Sequence, residues 1–156
     1  MAEPLTTGVE VHEVMSRDLH RVSPTTPVGE ALDLMSEKKI SALPVVDEGD
    51  HCIGIVTVTD IIALLQRTEK TLRSNYPHFD DCLWAVDLVQ RNLDKDPVRN
   101  IMSEVMVTIS PDLSVERAAK TMSAENVHHL PVITDRKLVG FLSSIDVARV
   151  VAGDIE

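Results

Sequence analysis

Aromatic side chains are nearly missing from this chain. One Trp, one Tyr and two Phe among 156 residues leave an aliphatic core as the only kind it can build. Cysteine is as scarce: Cys52 and Cys82 lack metal-type spacing, and a reducing cytoplasm is the simplest expectation. The amino-terminal MAEPLTTGVE has none of the basic-then-apolar order of a signal peptide. No apolar run approaches the roughly 20 residues that cross a bilayer, so no membrane role is expected. Positive charge is short as well, with 15 Lys and Arg against 25 Asp and Glu and a net charge of −10. Such a surface repels a phosphate backbone or an anionic membrane, which argues against nucleic acid as a partner. The length suits one compact domain or two very small ones sharing a core, and leaves no room for a large catalytic domain.

What the chain does have is a doubled pattern. VMSRDLHRVSPTTPVGEALDLM, from Val14, aligns with IMSEVMVTISPDLSVERAAKTM, from Ile101, at an offset of 102 − 15 = 87. Met15 and Met102, Pro24 and Pro111, Ala31 and Ala118, Met35 and Met122, and Pro44 and Pro131 all keep it. The offset falls to 140 − 54 = 86 after the loop DEGDHC, one residue longer than its partner TDRKL, and a polar turn tolerates that change.

Each copy carries the same signals. A short extended stretch (HRVS; VTIS) runs to a Pro. An amphipathic helix follows, with Val28, Ala31, Leu32 and Met35, or Val115, Ala118, Ala119 and Met122, at helical spacing. Thr26 before Pro27 predicts a well-capped start for the first helix, whereas Leu113 in the equivalent place predicts a poorer start for the second. Two β-branched runs come next (ALPVV, CIGIVT; HLPVI, LVGFLS), read as a hairpin with a longer loop, then a closing helix (DIIALLQ; DVARVV). The order is β-α-β-β-α twice. One unit of roughly 55 residues buries too little surface alone, so the expectation is an α+β fold in which the two repeats pack pseudo-symmetrically through their sheets.

The leading Met-Ser pairs (Met15-Ser16; Met102-Ser103), the Leu-Pro-Val segments (Leu43-Pro44-Val45; Leu130-Pro131-Val132) and the closing GIVTVTD and GFLSSID together resemble the tandem cystathionine-β-synthase (CBS) domain pair, or Bateman module. The resemblance spans residues 11–66 as one repeat and 98–151 as the other, with 67–97 a connector. It implies a regulatory module that binds an adenosine-containing ligand (AMP, ADP, ATP, S-adenosylmethionine or NAD) in clefts between the repeats. It also implies a homodimer, since paired CBS modules commonly form disc-like dimers, and a regulated partner that the sequence does not name.

By the same resemblance, Asp60 or Asp146 takes the ribose hydroxyls and Thr57 or Ser143 a ribose or phosphate oxygen. A strand end followed by a helix start brings both side chains to one crevice, where free helix N–H groups can meet phosphate. The Gly before each lets a ligand or neighbouring backbone approach closely. A helix-first-turn Asp is equally suited to plain capping. His128 and His129 stand where family members place a phosphate-contacting basic doublet, against Ser41 and Ala42 in the first repeat, although structural or solvated roles also suit them. Arg21 and Thr108 occupy places whose counterparts line an adenine pocket. Many members carry Arg or Lys between the Thr/Ser and the Asp; this chain has Val58-Thr59 and Ser144-Ile145, which favours AMP over a polyphosphate. Lys38, Lys39 and Arg149 could supply charge or stay solvated.

The connector holds Tyr76, Phe79 and Trp84. Asp80-Asp81 ahead of Leu83, Val86, Val89 and Leu93 predicts a helix that Asp96-Pro97 ends, packed on its own module or a second copy, or else docking a partner. An alternative for the whole chain is a dimerisation scaffold with vestigial sockets. An enzyme finds no support in a nucleophile–His–Asp context, a phosphate loop or a metal-ligand cluster.

Overall fold

The computed structural model describes residues 8–75, 83–105 and 107–155. Tyr76, Phe79, Asp80, Asp81 and Cys82 of the connector lie outside them, as do the contacts of Trp84 and Val86. The elements are α1 (Val11–Val14), α2 (Val28–Lys38), β1 (Ala42–Val46), β2 (Cys52–Thr57), α3 (Val58–Asn75), α4 (Leu83–Lys95), β3 (Ser103–Glu104), α5 (Val115–Glu125), β4 (His129–Thr134), β5 (Lys137–Ser143) and α6 (Ser144–Ala152).

Two compact units result, and they are not the two sequence repeats. One gathers the residues up to Leu19, Glu48–Cys52 and those from Val105 onward; the other comprises His20–Asp47 and Ile53–Glu104. They are called here the Asp146 unit and the Asp60 unit. The leader of each repeat is thus built into the unit that holds the other repeat's helices.

In the Asp60 unit the sheet order is β1-β2-β3, with β3 antiparallel to β2 through Gly54↔Glu104 and Ile55↔Ser103. The opening HRVS contributes a single parallel bridge, Val22↔Val45, rather than a full strand. Val22 N–H donates to Pro44 O at 3.1 Å and Val46 N–H to Val22 O at 2.9 Å; Pro24, two residues on, has no N–H with which to extend the ladder. Val22, Val28, Ala31, Met35, Leu43, Val45, Val56, Ile61 and Val98 form the core, aliphatic as the composition requires.

The Asp146 unit repeats the plan. Ile109↔Val132 is its parallel bridge and Ser16↔Phe141 its leader bridge. Val11, Ile109, Ala118, Met122, Leu130, Val132 and Leu142 form its core. The β4–β5 ladder runs from His129↔Ser143 to Thr134↔Lys137. Its turn is shorter than the expected longer loop: Asp135 and Arg136 alone make it, at φ 50° and 66°, and two left-handed residues match the twist of a tight hairpin.

Helix capping also differs from expectation. Position 27 and its counterpart 114 are the cap residues, one place beyond Thr26 and Leu113. Pro27 gives α2 no side-chain cap, and Thr26 Oγ1 instead accepts from Ser23 N–H at 3.0 Å. Ser114 Oγ accepts from Arg117 N–H at 3.1 Å, so α5 is the better capped of the two. The closing helix of the first repeat runs past Gln66 to Asn75, absorbing the start of the connector. Helix α4 forms as expected and lies against α2 and α3, so close that a Cβ on Gly29 would meet Asp94 Oδ1 at 2.9 Å.

Candidate functional site

The twinned Gly-apolar-apolar-Thr/Ser-x-x-Asp segments end β2 and β5 and open α3 and α6. The glycines leave room for a methionine of the leading Met-Ser pairs. A Cβ on Gly54 would lie 2.6 Å from Met102 Sδ and 3.0 Å from Ser103 O, and one on Gly140 would overlap Met15 Sδ. The leading Met-Ser pairs therefore fill the space beside these strands, each in the unit holding the other repeat's helices.

Beyond the glycine each strand delivers a reciprocal cap. Thr57 N–H and Thr57 Oγ1 donate to Asp60 Oδ2 at 2.8 and 2.9 Å, and Asp60 N–H donates to Thr57 Oγ1 at 3.2 Å. Ser143 and Asp146 repeat the same three bonds at 2.8, 2.9 and 3.2 Å. Both aspartates are at the third helical position, where a short acidic side chain can reach back to the cap residue. Capping is thus a role both carboxylates perform. It uses Oδ2 and fixes each plane, leaving Oδ1 for another donor.

The two Oδ1 atoms have different surroundings. Arg149 Nη1 lies 3.5 Å from Asp146 Oδ1. Three residues after Asp60 the chain has Ala63, which reaches nothing, and Asp60 lines an open groove of about 460 Å³ with Ala63, Gln66, Arg67, Lys70 and Ile101. Gln66, Arg67 and Lys70 were not apparent as site residues in the sequence. The signal for Arg67 and Lys70 is helical spacing from Asp60 (60, 63, 67, 70), readable only once α3 is known to continue past Gln66.

The histidine doublet adjoins the Ser143–Asp146 cap. His129 faces Ser143 across the hairpin, and Ser144 N–H donates to His128 O at 2.9 Å. The half-buried His129 ring stacks on Phe141 at 5.4 Å between centroids and 10° between planes. Burial, and then the neighbouring His128, hold its pKa below the ordinary 6.5, with Asp146 pulling the other way. Desolvation disfavours the imidazolium, so the ring is an apolar platform as much as a cation. In the Asp60 unit Ser41 O accepts from Val58 N–H at 3.0 Å, the same arrangement without imidazoles. Arg21 and Thr108 are exposed and adjoin the Val22 and Ile109 bridges, one in each unit.

A twice-repeated strand–strand–helix unit, each copy ending in a capped carboxylate and each core completed by the other copy's leader, is a tandem α/β repeat module. The chain belongs to the CBS domain family, whose pattern matches residues 11–67 and 98–153. It is 34% identical over 147 residues to the CBS domain-containing protein CBSX1, chloroplastic, of Arabidopsis thaliana, covering 89% of this chain and 62% of that one. It is 30% identical over 138 residues to the inosine-5'-monophosphate dehydrogenase of Methanocaldococcus jannaschii, covering 88% of this chain and only 22% of the enzyme. The chain thus spans less than two thirds of these curated relatives. Among solved structures it resembles Arabidopsis thaliana CBSX2 in complex with AMP, with a TM-score of 0.71, 27% identity, and coverage of 96% of this chain and 100% of that one. It also resembles the CBS domain pair of a protein in complex with 5'-methylthioadenosine and S-adenosyl-L-methionine, with a TM-score of 0.69, 25% identity, and coverage of 94% and 98%.

Proposed function

We propose that this chain is a regulatory module that binds an adenosine-containing small molecule, with AMP the favoured ligand, and transmits occupancy to a protein partner. The observation that carries the reading is the pair of identical cap geometries. Each holds a carboxylate rigidly by one oxygen at a strand-to-helix corner, and a vicinal diol needs such a pre-oriented acceptor for its two O–H groups. AMP is favoured because no Arg or Lys separates Thr57 from Asp60 or Ser143 from Asp146. His128 and His129 are assigned to a phosphate beside Asp146, and Arg21 and Thr108 to the base. The complexes of similar proteins with AMP, 5'-methylthioadenosine and S-adenosyl-L-methionine support an adenosine ligand over other nucleosides. Occupancy acts on a partner only through different affinity for two conformations of the module. The reading includes a homodimer, a cytoplasmic setting and no catalysis. No described helix is long and apolar enough to cross a membrane.

Isothermal titration with AMP, ATP, S-adenosylmethionine and NAD tests it. Binding of at least one is expected, weakened by roughly tenfold or more in the D60A/D146A variant, since a lost charge-assisted acceptor costs about 1.5–3 kcal/mol. Absence of heat and of thermal shift with all four defeats the reading. A second reading is favoured by the completeness of both caps without any ligand: a dimerisation scaffold with vestigial sockets. In that case D60A/D146A keeps its dimer and its effect on a partner.

A further inference from the structure

The two leading methionines combine tight contact with incomplete burial. Met15 and Met102 are half-buried, and each thioether lies on a strand glycine, Gly140 and Gly54 respectively. At Gly54 the nearest neighbours of a Cβ would be Met102 Sδ at 2.6 Å, Ser103 O at 3.0 Å and Met102 Cγ at 3.2 Å. At Gly140 they would be Sδ, Cγ and Cε of Met15 alone, so the whole end of that side chain covers the glycine. Each methionine is also pinned through its backbone: Met15 N–H donates to Val11 O and Met102 N–H to Val98 O, both at 2.9 Å. Met102 packs against the Asp60-unit core and Met15 against the Asp146-unit core.

The other two described methionines are shielded. Met35 and Met122 are 2% and 7% exposed and belong to the cores, whereas Met1 and Met106 lie outside the described residues. A thioether reacts with a peroxide through its sulfur lone pair. The S–O bond forms as the O–O bond breaks, and the new S–OH gives its proton to the departing hydroxide, which leaves as water; sulfur is oxidised by two electrons and the peroxide is reduced. The sulfoxide is polar and carries one more heavy atom on Sδ, the atom nearest the missing Cβ of both glycines. A close-packed contact has no room for it.

We propose that Met15 and Met102 are paired oxidation sites, converted to sulfoxide by hydrogen peroxide or another two-electron oxygen donor, and that the change unlatches a leader from the strand that carries a capped aspartate. The route is short. Ser16 N–H donates to Phe141 O at 2.9 Å and Phe141 N–H to Ser16 O at 3.0 Å, while Ser103 pairs with Ile55; both pairings are one residue from the methionine–glycine contact. The caps at Ser143 and Thr57 begin three residues past the glycines. Pushing the sulfur off the glycine moves the leader off this strand and loosens the corner that holds Asp146 or Asp60. The effect is larger at Met15, whose whole thioether end rests on Gly140. None of this depends on what either corner binds, and sulfoxide reductases make the change reversible.

The test is to treat the full chain with hydrogen peroxide and to follow each methionine by peptide mass, global unfolding by melting temperature and local opening by hydrogen exchange. Met15 and Met102 should each gain one oxygen before Met35 and Met122 do. The melting temperature should fall by roughly 4 °C or more, with amide protection lost in β5 and α6 and, to a smaller extent, in β2 and α3. Methionine sulfoxide reductases A and B should restore both. M15L/M102L, a swap that nearly conserves volume, should keep its melting temperature under the same peroxide dose. Met1 and Met106 are common to both proteins, so their oxidation cancels in the comparison. Should the variant fold poorly, the oxidised and the reductase-repaired forms of the unaltered chain decide the matter by themselves. Oxidation of Met35 and Met122 as fast as of Met15 and Met102 overturns the assignment. So does sulfoxide at Met15 and Met102 that leaves melting and exchange unchanged, or an equal fall in M15L/M102L.

Discussion

A carboxylate at the third position of a helix can cap and receive at once when the two roles fall on different oxygens, as they do at Asp60 and Asp146. Both readings the sequence left open for these residues are therefore compatible. The cap is a matter of spacing, four consecutive residues, and was legible. The difference between Arg149 beside one Oδ1 and Ala63 beside the other was equally present in the sequence, but it gains meaning only from a helical turn that brings position 149 back over 146. His129 offers the prediction that belongs to single residues. With its folded pKa below 6.5, the unfolded chain takes up a proton first as pH falls. The stability associated with neutral His129 is fully present above about pH 6.5 and declines as pH drops from there through the folded pKa. The melting temperature of the unliganded protein should fall on acidification through this window more steeply than that of H129Q. Parallel curves would assign the titration to another group.

At the scale of elements, the leaders decide the architecture. Val11 and Val98 are fully buried, one in each core, and are held by matching backbone bonds. Val11 N–H donates to Leu113 O at 2.8 Å and His12 N–H to Pro111 O at 3.0 Å; Val98 N–H donates to Thr26 O at 2.8 Å and Arg99 N–H to Pro24 O at 3.0 Å. Truncating either valine to alanine should cost about 1–3 kcal/mol from lost burial and the cavity left behind. The location of the damage is the sharper expectation. Under native-state hydrogen exchange, V11A should lower amide protection in α5 and β4–β5, and V98A in α2 and β1–β2. Loss of protection in the leader's own sequence repeat would contradict the exchanged packing. The two-residue turn at Asp135-Arg136 and the eighteen-residue α3 also belong to this scale. Each differs from a local reading because the strand ladder in one case and packing against α4 in the other extend an element past its apparent end.

For the whole molecule, the doubling creates two related but unequal strand-to-helix corners, one beside the imidazoles with Arg149 on its aspartate, the other opening on a groove that Arg67 and Lys70 line. Exposed Ile62 on α3 and Ile145 on α6 are suited to contact with a second copy, and light scattering at tens of micromolar should give twice the chain mass; a single-chain mass would remove the dimer from the proposed function. By itself the sequence determined the repeat, its internal offset, the aliphatic core positions and the two capped aspartates, because all of these depend on spacing within a few turns or strands. Only the tertiary structure decided which leader completes which core, why Gly54 and Gly140 must lack a side chain, and how far the charge of α3 reaches along the groove from Asp60. Two near-identical leaders fit two near-identical cores equally well in one dimension; chain connectivity and close packing in three dimensions select between them.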